Sequence, residues 1–296
     1  MTPKLSKRLM RWIGMLILSV IVGLYLVLPV AFGVAAVFPT QESVGAPPAG
    51  FTTITITTGD NVALDAWYAP PTNGAVIILV HGAGNSRESL RRYAALFTQH
   101  GYGVLALDLR GHGNSEGTTN RLGWQGTADI SAAAAYLQTQ PEVTHIGALG
   151  LSMGAEVLLG AASTVPAIQG IVADGATQRC LDELRALESN RPLYRNFTAR
   201  IFFLTVQLLS GDDPPIPPLL DSMIAADTTR FLLIAAGTNE EEIDYNELFA
   251  ETVGERAALW IAPDAKHTGA FARYPAEYEE RVIAFFDGVL LGQQNE

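Results

Sequence analysis

Two serines stand in the spacing Gly-x-Ser-x-Gly: Ser152, in Gly150-Leu-Ser152-Met-Gly154, and Ser115, in Gly113-Asn-Ser115-Glu-Gly117. That spacing suits a nucleophilic serine held on a sharp turn between a strand and a helix. The flanking residues must be tiny there, and the serine is strained and exposed. Local context separates the two. The apolar run His145-Ile-Gly-Ala-Leu149 leads into Ser152, and an apolar helical run begins at Ala155. Ser115 lies in a polar Gly/Asn/Thr loop with no helix directly after it, so it is expected to be structural.

A serine hydroxyl is a weak nucleophile and needs a base within hydrogen-bond reach. Five histidines are available. His100 precedes Gly101 at a predicted helix end, where it suits the dipole. His145 starts a strand, and His81 and His112 sit in glycine-rich loops. His267 follows the last predicted strand, at the strand end that also carries Ser152, and is the expected base. An acid must then orient the imidazole. The run Gly237-Thr-Asn-Glu240-Glu241-Glu242-Ile-Asp244 supplies several carboxylates after a strand. Glu240 is the expected acid, with Glu241, Asp244 and Asp174 as alternatives; some of the run could simply open the next helix, where carboxylates are favourable. The loop His81-Gly82-Ala83-Gly84 lets the backbone approach a substrate. The N–H groups of Ala83 and Met153 form the expected oxyanion hole.

These residues need a scaffold that brings strand ends to one edge. Residues 52–58 and 62–69 alternate as a hairpin. Short apolar runs at 75–80, 103–107, 145–149, 168–173, 231–236 and 258–262 read as buried strands. Helical stretches separate them, at 88–100, 127–138, 154–163 and 277–291. This predicts an α/β fold: a mostly parallel eight-stranded sheet covered by helices on both faces. Residues 175–229 break the rhythm. They hold a helical run at 198–209 and the turn Asp212-Asp213-Pro214-Pro215-Ile216-Pro217-Pro218, and are expected to form a small helical cap over a pocket.

The front of the chain differs in kind. Residues 12–38 carry no charge, and Lys4, Lys7, Arg8 and Arg11 precede them. A helix of that length is roughly 40 Å long, enough to span a ~30 Å hydrocarbon core. The basic flank places the N-terminus in the cytoplasm and the catalytic part outside it. The competing reading is a signal peptide cleaved near Val34-Ala35-Ala36, but its apolar stretch would be unusually long. The expected organisation is a basic segment at 1–11, a transmembrane helix at 12–38, a linker at 39–50, one catalytic domain at 51–291 and a tail at 292–296.

Composition excludes several classes. With 48% hydrophobic and 17% charged residues, the chain is not disordered. One cysteine, Cys180, rules out a disulfide framework or a multi-cysteine metal site. The net charge of −11 argues against nucleic acid as a partner.

Taken together, the loop at 81–84, the stretch Asp108-Leu-Arg110-Gly-His112-Gly-Asn-Ser115, the Gly150–Gly154 turn and His267 resemble the α/β-hydrolase superfamily of serine hydrolases over about residues 51–291. The chain order serine, acid, histidine also matches that family. The resemblance implies that 108–115 is a structural turn, which accounts for the second serine motif. It implies an aspartate at the acid position, where the expectation for this chain is Glu240. The chain looks like the membrane-anchored members. The expected activity is hydrolysis of a carboxylic ester through an acyl-enzyme, needing no metal or organic cofactor. The expected substrate is a small-molecule or lipid-like ester. Acyl transfer on the same residues and a non-catalytic membrane-tethered scaffold are the alternatives.

Overall fold

The computed structural model describes residues 7–39, 41–190, 192–211, 214–215 and 217–292, without the side chains of 188–190. Lys4, the tail beyond residue 292, and Asp212, Asp213 and Ile216 of the Pro-rich turn lie outside the described residues.

The apolar front forms one continuous helix. It comprises α1 (Lys7–Val22), a π turn (Gly23–Val27) and α2 (Leu28–Val37). In the π turn Leu28 N–H donates to Gly23 O. The whole helix runs 31 residues, long and apolar enough to cross a membrane. The side chains of α1 are all exposed; burial begins at Pro29 and recurs at Gly33 and Val37, one face at a spacing of four.

The remaining elements alternate as the sequence pattern requires. The strands are β1 (Thr52–Thr57), β2 (Ala63–Ala69), β3 (Ala75–Val80), β4 (Gly103–Leu107), β5 (His145–Leu151), β6 (Ile168–Asp174), β7 (Arg230–Ala236) and β8 (Ala257–Ala262). The longer helices on the sheet are α3 (Arg91–Gln99), α4 (Gly126–Gln138) and α5 (Met153–Ala161). After β6 come α6 (Leu181–Leu184), α7 (Leu193–Ser210) and α8 (Leu219–Ala225). The chain then adds α9 (Glu240–Val253), α10 (Ala270–Arg273) and α11 (Pro275–Leu290).

All eight strands join one sheet in the order β1-β2-β4-β3-β5-β6-β7-β8. β2 pairs antiparallel with both β1 and β4; the other pairings are parallel. The central strand β3 is buried at every position, as its unbroken Ala-Val-Ile-Ile-Leu-Val run requires when both faces are covered. One face packs Leu, Val and Ala from α4, α5 and α9. The other packs aromatics, among them Tyr93, Phe97, Phe271, Tyr278 and Phe286.

The segment between β6 and β7 is helical, as expected for a cap. Its main helix starts earlier than the pattern at 198–209 suggests, at Leu193 after Pro192, and ends at Gly211 in the left-handed conformation that a C-terminal glycine supplies. α7 packs against both α2 and the π turn. The backbones approach closely at Gly33, where a Cβ would come within 2.8 Å of Thr205 Cβ. Val37, Trp124, Cys180 and Val206 close a small apolar cluster at this junction.

Candidate active site

The parallel strands deliver their C-terminal ends to one edge, where open α/β sheets place their sites. β3 leads into the 81–84 loop, β5 into Ser152, β6 into Asp174, β7 into α9, and β8 into the loop bearing His267.

Ser152 has φ 52° and ψ −121°, a region that non-glycine residues avoid. The turn around it is as tight as the glycines imply. A Cβ at Gly150 would lie 2.5 Å from Gly154 O, and one at Gly154 would lie 2.5 Å from Val80 O. Ser152 N–H donates to Asp174 O at 2.8 Å, fastening the turn to β6. The Ser152 hydroxyl thus stands free of its own helix, toward His267.

His267 Nε2 lies 2.8 Å from Ser152 Oγ, and its Nδ1 lies 2.6 Å from Glu242 Oε1. The expected Glu240 is not the partner. Its side chain is 87% exposed and 4.0 Å from Arg195. Asn239 caps α9 by accepting from Glu241 N–H, and the helical turn then points Glu240 outward and Glu242 back toward β7. Glu242 is fully buried and accepts from Ala236 N–H (2.9 Å), Asn239 Nδ2 (2.7 Å) and His267. Those donors compensate for burying a carboxylate. The other candidates are engaged elsewhere. Glu241 accepts from Gln178 Nε2 at 2.8 Å, and Asp244 lies a turn away near Leu187 and Tyr245. Asp174 accepts from the Tyr278 hydroxyl at 3.2 Å; burial pushes its carboxyl up to about 7.

The hydrogen bond to Glu242 raises the His267 pKa above the ordinary imidazole value, against the opposing effect of burial. With Nδ1–H given to the carboxylate, the neutral ring presents Nε2 as an acceptor to the serine hydroxyl.

The 81–84 loop lies against Ser152; a Cβ at Gly82 would sit 3.4 Å from Ser152 Cβ. Two neutral histidines fix it. His81 Nδ1 bonds Gly82 O at 2.8 Å and Nε2 accepts from Leu109 N–H at 3.2 Å. His112 Nε2 accepts from Gly84 N–H at 3.3 Å. Burial pushes both histidines down to about 4, so neither carries charge beside the site at neutral pH. Ala83 lies in this loop, and Met153 opens α5, where its N–H has no intrahelical acceptor.

Ser115 is 2% exposed; its hydroxyl donates to Asp108 O at 2.7 Å and accepts from Asp65 N–H at 2.9 Å. Replacing it with alanine orphans buried groups. Ser115→Ala is expected to cost about 1–3 kcal/mol in a urea melt while leaving turnover per folded molecule within about twofold.

A cavity of about 840 Å³ opens on Ser152. Ala83, Met153 and Glu156 line it on the sheet side. Sequence reasoning did not single out Glu156. It lies one helical turn after Ser152, buried, and accepts from Thr177 N–H (3.1 Å) and Thr177 Oγ1 (3.0 Å). Burial raises its carboxyl to about 7. Its signal in the sequence was a lone acid in an apolar helix. A second hollow, of about 920 Å³ beside β1 and α4, shares no residue with the first and holds no histidine. Among the described residues no cluster of His, Cys, Asp and Glu could hold a metal ion.

A model of the family described as Serine aminopeptidase, S33 matches residues 71–201, from β3 through the Ser152 turn into α7. YfhR of Salmonella typhi is 26% identical over 98% of this chain and 99% of its own length. The Mycobacterium tuberculosis protein MT2364 is 26% identical over 69% of this chain and 78% of its own. Among solved structures, the Pyrococcus furiosus esterase Pf2001 is 27% identical, with a TM-score of 0.69 over 86% of this chain and 98% of that one. Sheet order, helical layers and these likenesses define the class: the chain has the α/β-hydrolase fold, and the family match and structural neighbours support a hydrolase.

Proposed function

We propose that the protein is a membrane-anchored serine hydrolase that cleaves a carboxylic ester through an acyl-enzyme. The observation that carries this reading is the unbroken hydrogen-bonded chain from Ser152 Oγ through His267 to the buried Glu242. In this reading Ser152 attacks the ester carbonyl as His267 Nε2 takes its proton, and Glu242 holds the ring and stabilises the imidazolium. The N–H groups of Ala83 and Met153 receive the developing oxyanion. Collapse expels the alcohol, which takes the proton from His267. Water then attacks the acyl-serine, giving its proton to His267, and the carboxylic acid leaves as Ser152 regains a hydrogen.

The largely apolar cavity favours an acyl chain over a charged aminoacyl group, and esterases stand among the structural neighbours. The long apolar helix and the basic residues Lys7, Arg8 and Arg11 support an anchor with a cytoplasmic N-terminus and a catalytic domain outside. The test combines two measurements on the full chain. A fluorophosphonate should modify Ser152, located by peptide mass spectrometry. p-Nitrophenyl butyrate should turn over much faster than leucine p-nitroanilide. Modification elsewhere, or preferred cleavage of the anilide, would overturn the ester reading.

A further inference from the structure

We propose that the N-terminal helix is a wall of the substrate site as well as an anchor, and that the site draws a long-chain acyl ester from the lipid leaflet next to the catalytic domain. This rests on the ester reading above. The cavity at Ser152 is lined by Leu24, Leu28 and Phe32 of that helix, facing Thr198, Ala199 and Phe202 of α7. Removing the helix would leave the cavity without one side.

Depth makes this wall significant. Arg11 is the last cation before the apolar run, so it marks the near membrane surface. Counting a ~30 Å core at ~1.5 Å per residue from there ends near residue 31. Leu24 and Leu28 then lie inside the hydrocarbon and Phe32 at its edge. The cavity therefore runs from the catalytic serine across the interface into the apolar layer. From Leu24 to the hydrocarbon edge near residue 31 the helix rises ~10 Å, so the lined cavity reaches about two-thirds of the way through the ~15 Å that one leaflet's acyl chains occupy. An ester carbonyl at head-group level can reach Ser152 while its chain stays in apolar surroundings, so the chain never crosses water.

The cap carries an independent sign of the same surface. Along α7, Leu193, Phe197, Leu204 and Leu208 share one outward face and are 88%, 49%, 50% and 82% exposed. The opposite face already packs Phe203 and Val206 inward. An outward apolar row that also carries the cation Arg200, on a helix lying against a membrane-spanning one, is matched by the lipid interface, acyl chains beneath and anionic head groups above, rather than by water. The occupant assigned to this face is the bilayer itself, continuous with the lipid around α1.

The test uses the full chain in phosphatidylcholine vesicles with 4-methylumbelliferyl palmitate and 4-methylumbelliferyl butyrate. Leu28→Trp, which fills the groove, is expected to lower the palmitate-to-butyrate ratio of kcat/KM by about tenfold or more. Ile17→Trp, in the same span but outside the cavity, should keep the wild-type ratio. A 16-carbon fluorophosphonate with a terminal diazirine, once attached to Ser152, should crosslink to residues 23–37. An unchanged ratio in Leu28→Trp, or crosslinks confined to the cap and sheet, would overturn the wall. Failure to turn over either ester would instead overturn the ester reading and the substrate class with it.

Discussion

Ser152→Ala is expected to lower kcat for p-nitrophenyl butyrate by roughly 10⁴- to 10⁶-fold and to abolish fluorophosphonate labelling. The size follows from the role. Without the hydroxyl there is no acyl-enzyme, and only the oxyanion donors and the cavity remain to act on a water molecule. The backbone offers a second readout. Ser152 sits at φ 52°, ψ −121°, a conformation that alanine tolerates no better. Ser152→Gly should be equally inactive but melt higher than Ser152→Ala. The gain is about 1 kcal/mol, roughly 1–3 kcal/mol of relieved strain less the entropy glycine adds to the unfolded chain. Residual activity close to wild type would remove Ser152 from the chemistry. A glycine variant melting below the alanine variant would show that the turn stores no strain.

Glu242→Gln is the second large effect, a loss of about 10³- to 10⁴-fold in kcat. The amide keeps the volume, but it removes the charge that stabilises the imidazolium and lets the ring adopt the wrong tautomer. The pH profile gives the direction independently. His267 must be neutral at Nε2 to act as a base, so kcat/KM falls as pH drops through its pKa. Glu242 is the main group raising that pKa. Removing its charge should move the acid limb to lower pH, with the reduced plateau reached earlier. Glu240→Gln, on the exposed first turn of α9, should leave both rate and profile within about twofold of wild type. A larger loss in Glu240→Gln than in Glu242→Gln would return the acid role to the residue favoured by spacing alone.

The sheet, the hairpin and the Ser152–His267 pair were legible because each rests on local pattern. Buried strands read as unbroken apolar runs, and a strand–glycine–helix junction marks the turn at Ser152. The acid was harder. Glu240, Glu241 and Glu242 are chemically alike, and nearness to the strand end favours the first. The discriminating signal was present in Asn239-Glu240-Glu241-Glu242. An N-capping residue followed three positions later by Glu sends that third side chain back toward the chain entering the helix. Here it returns to Ala236 N–H and meets His267 on the way. The part of the N-terminal helix that lines the cavity could not be read at all. A run without charge carries no polar face, so periodicity cannot tell which side of it meets protein. The packing of Gly33 on Thr205, with the burial of Pro29 and Val37, reveals that.

The π turn at Gly23–Val27 divides the N-terminal helix into two stretches under different rules. Before it, every α1 side chain is exposed, so orientation about the helix axis carries no packing constraint; only length and apolarity matter. After it, Pro29, Gly33 and Val37 must face α7 and the sheet domain, and one residue more or less turns that stripe by about 100°. The wide turn takes up a residue of slack where the two meet. The first stretch is therefore exchangeable for any apolar helix of equal length. The second is tied to its register as tightly as a strand in the sheet.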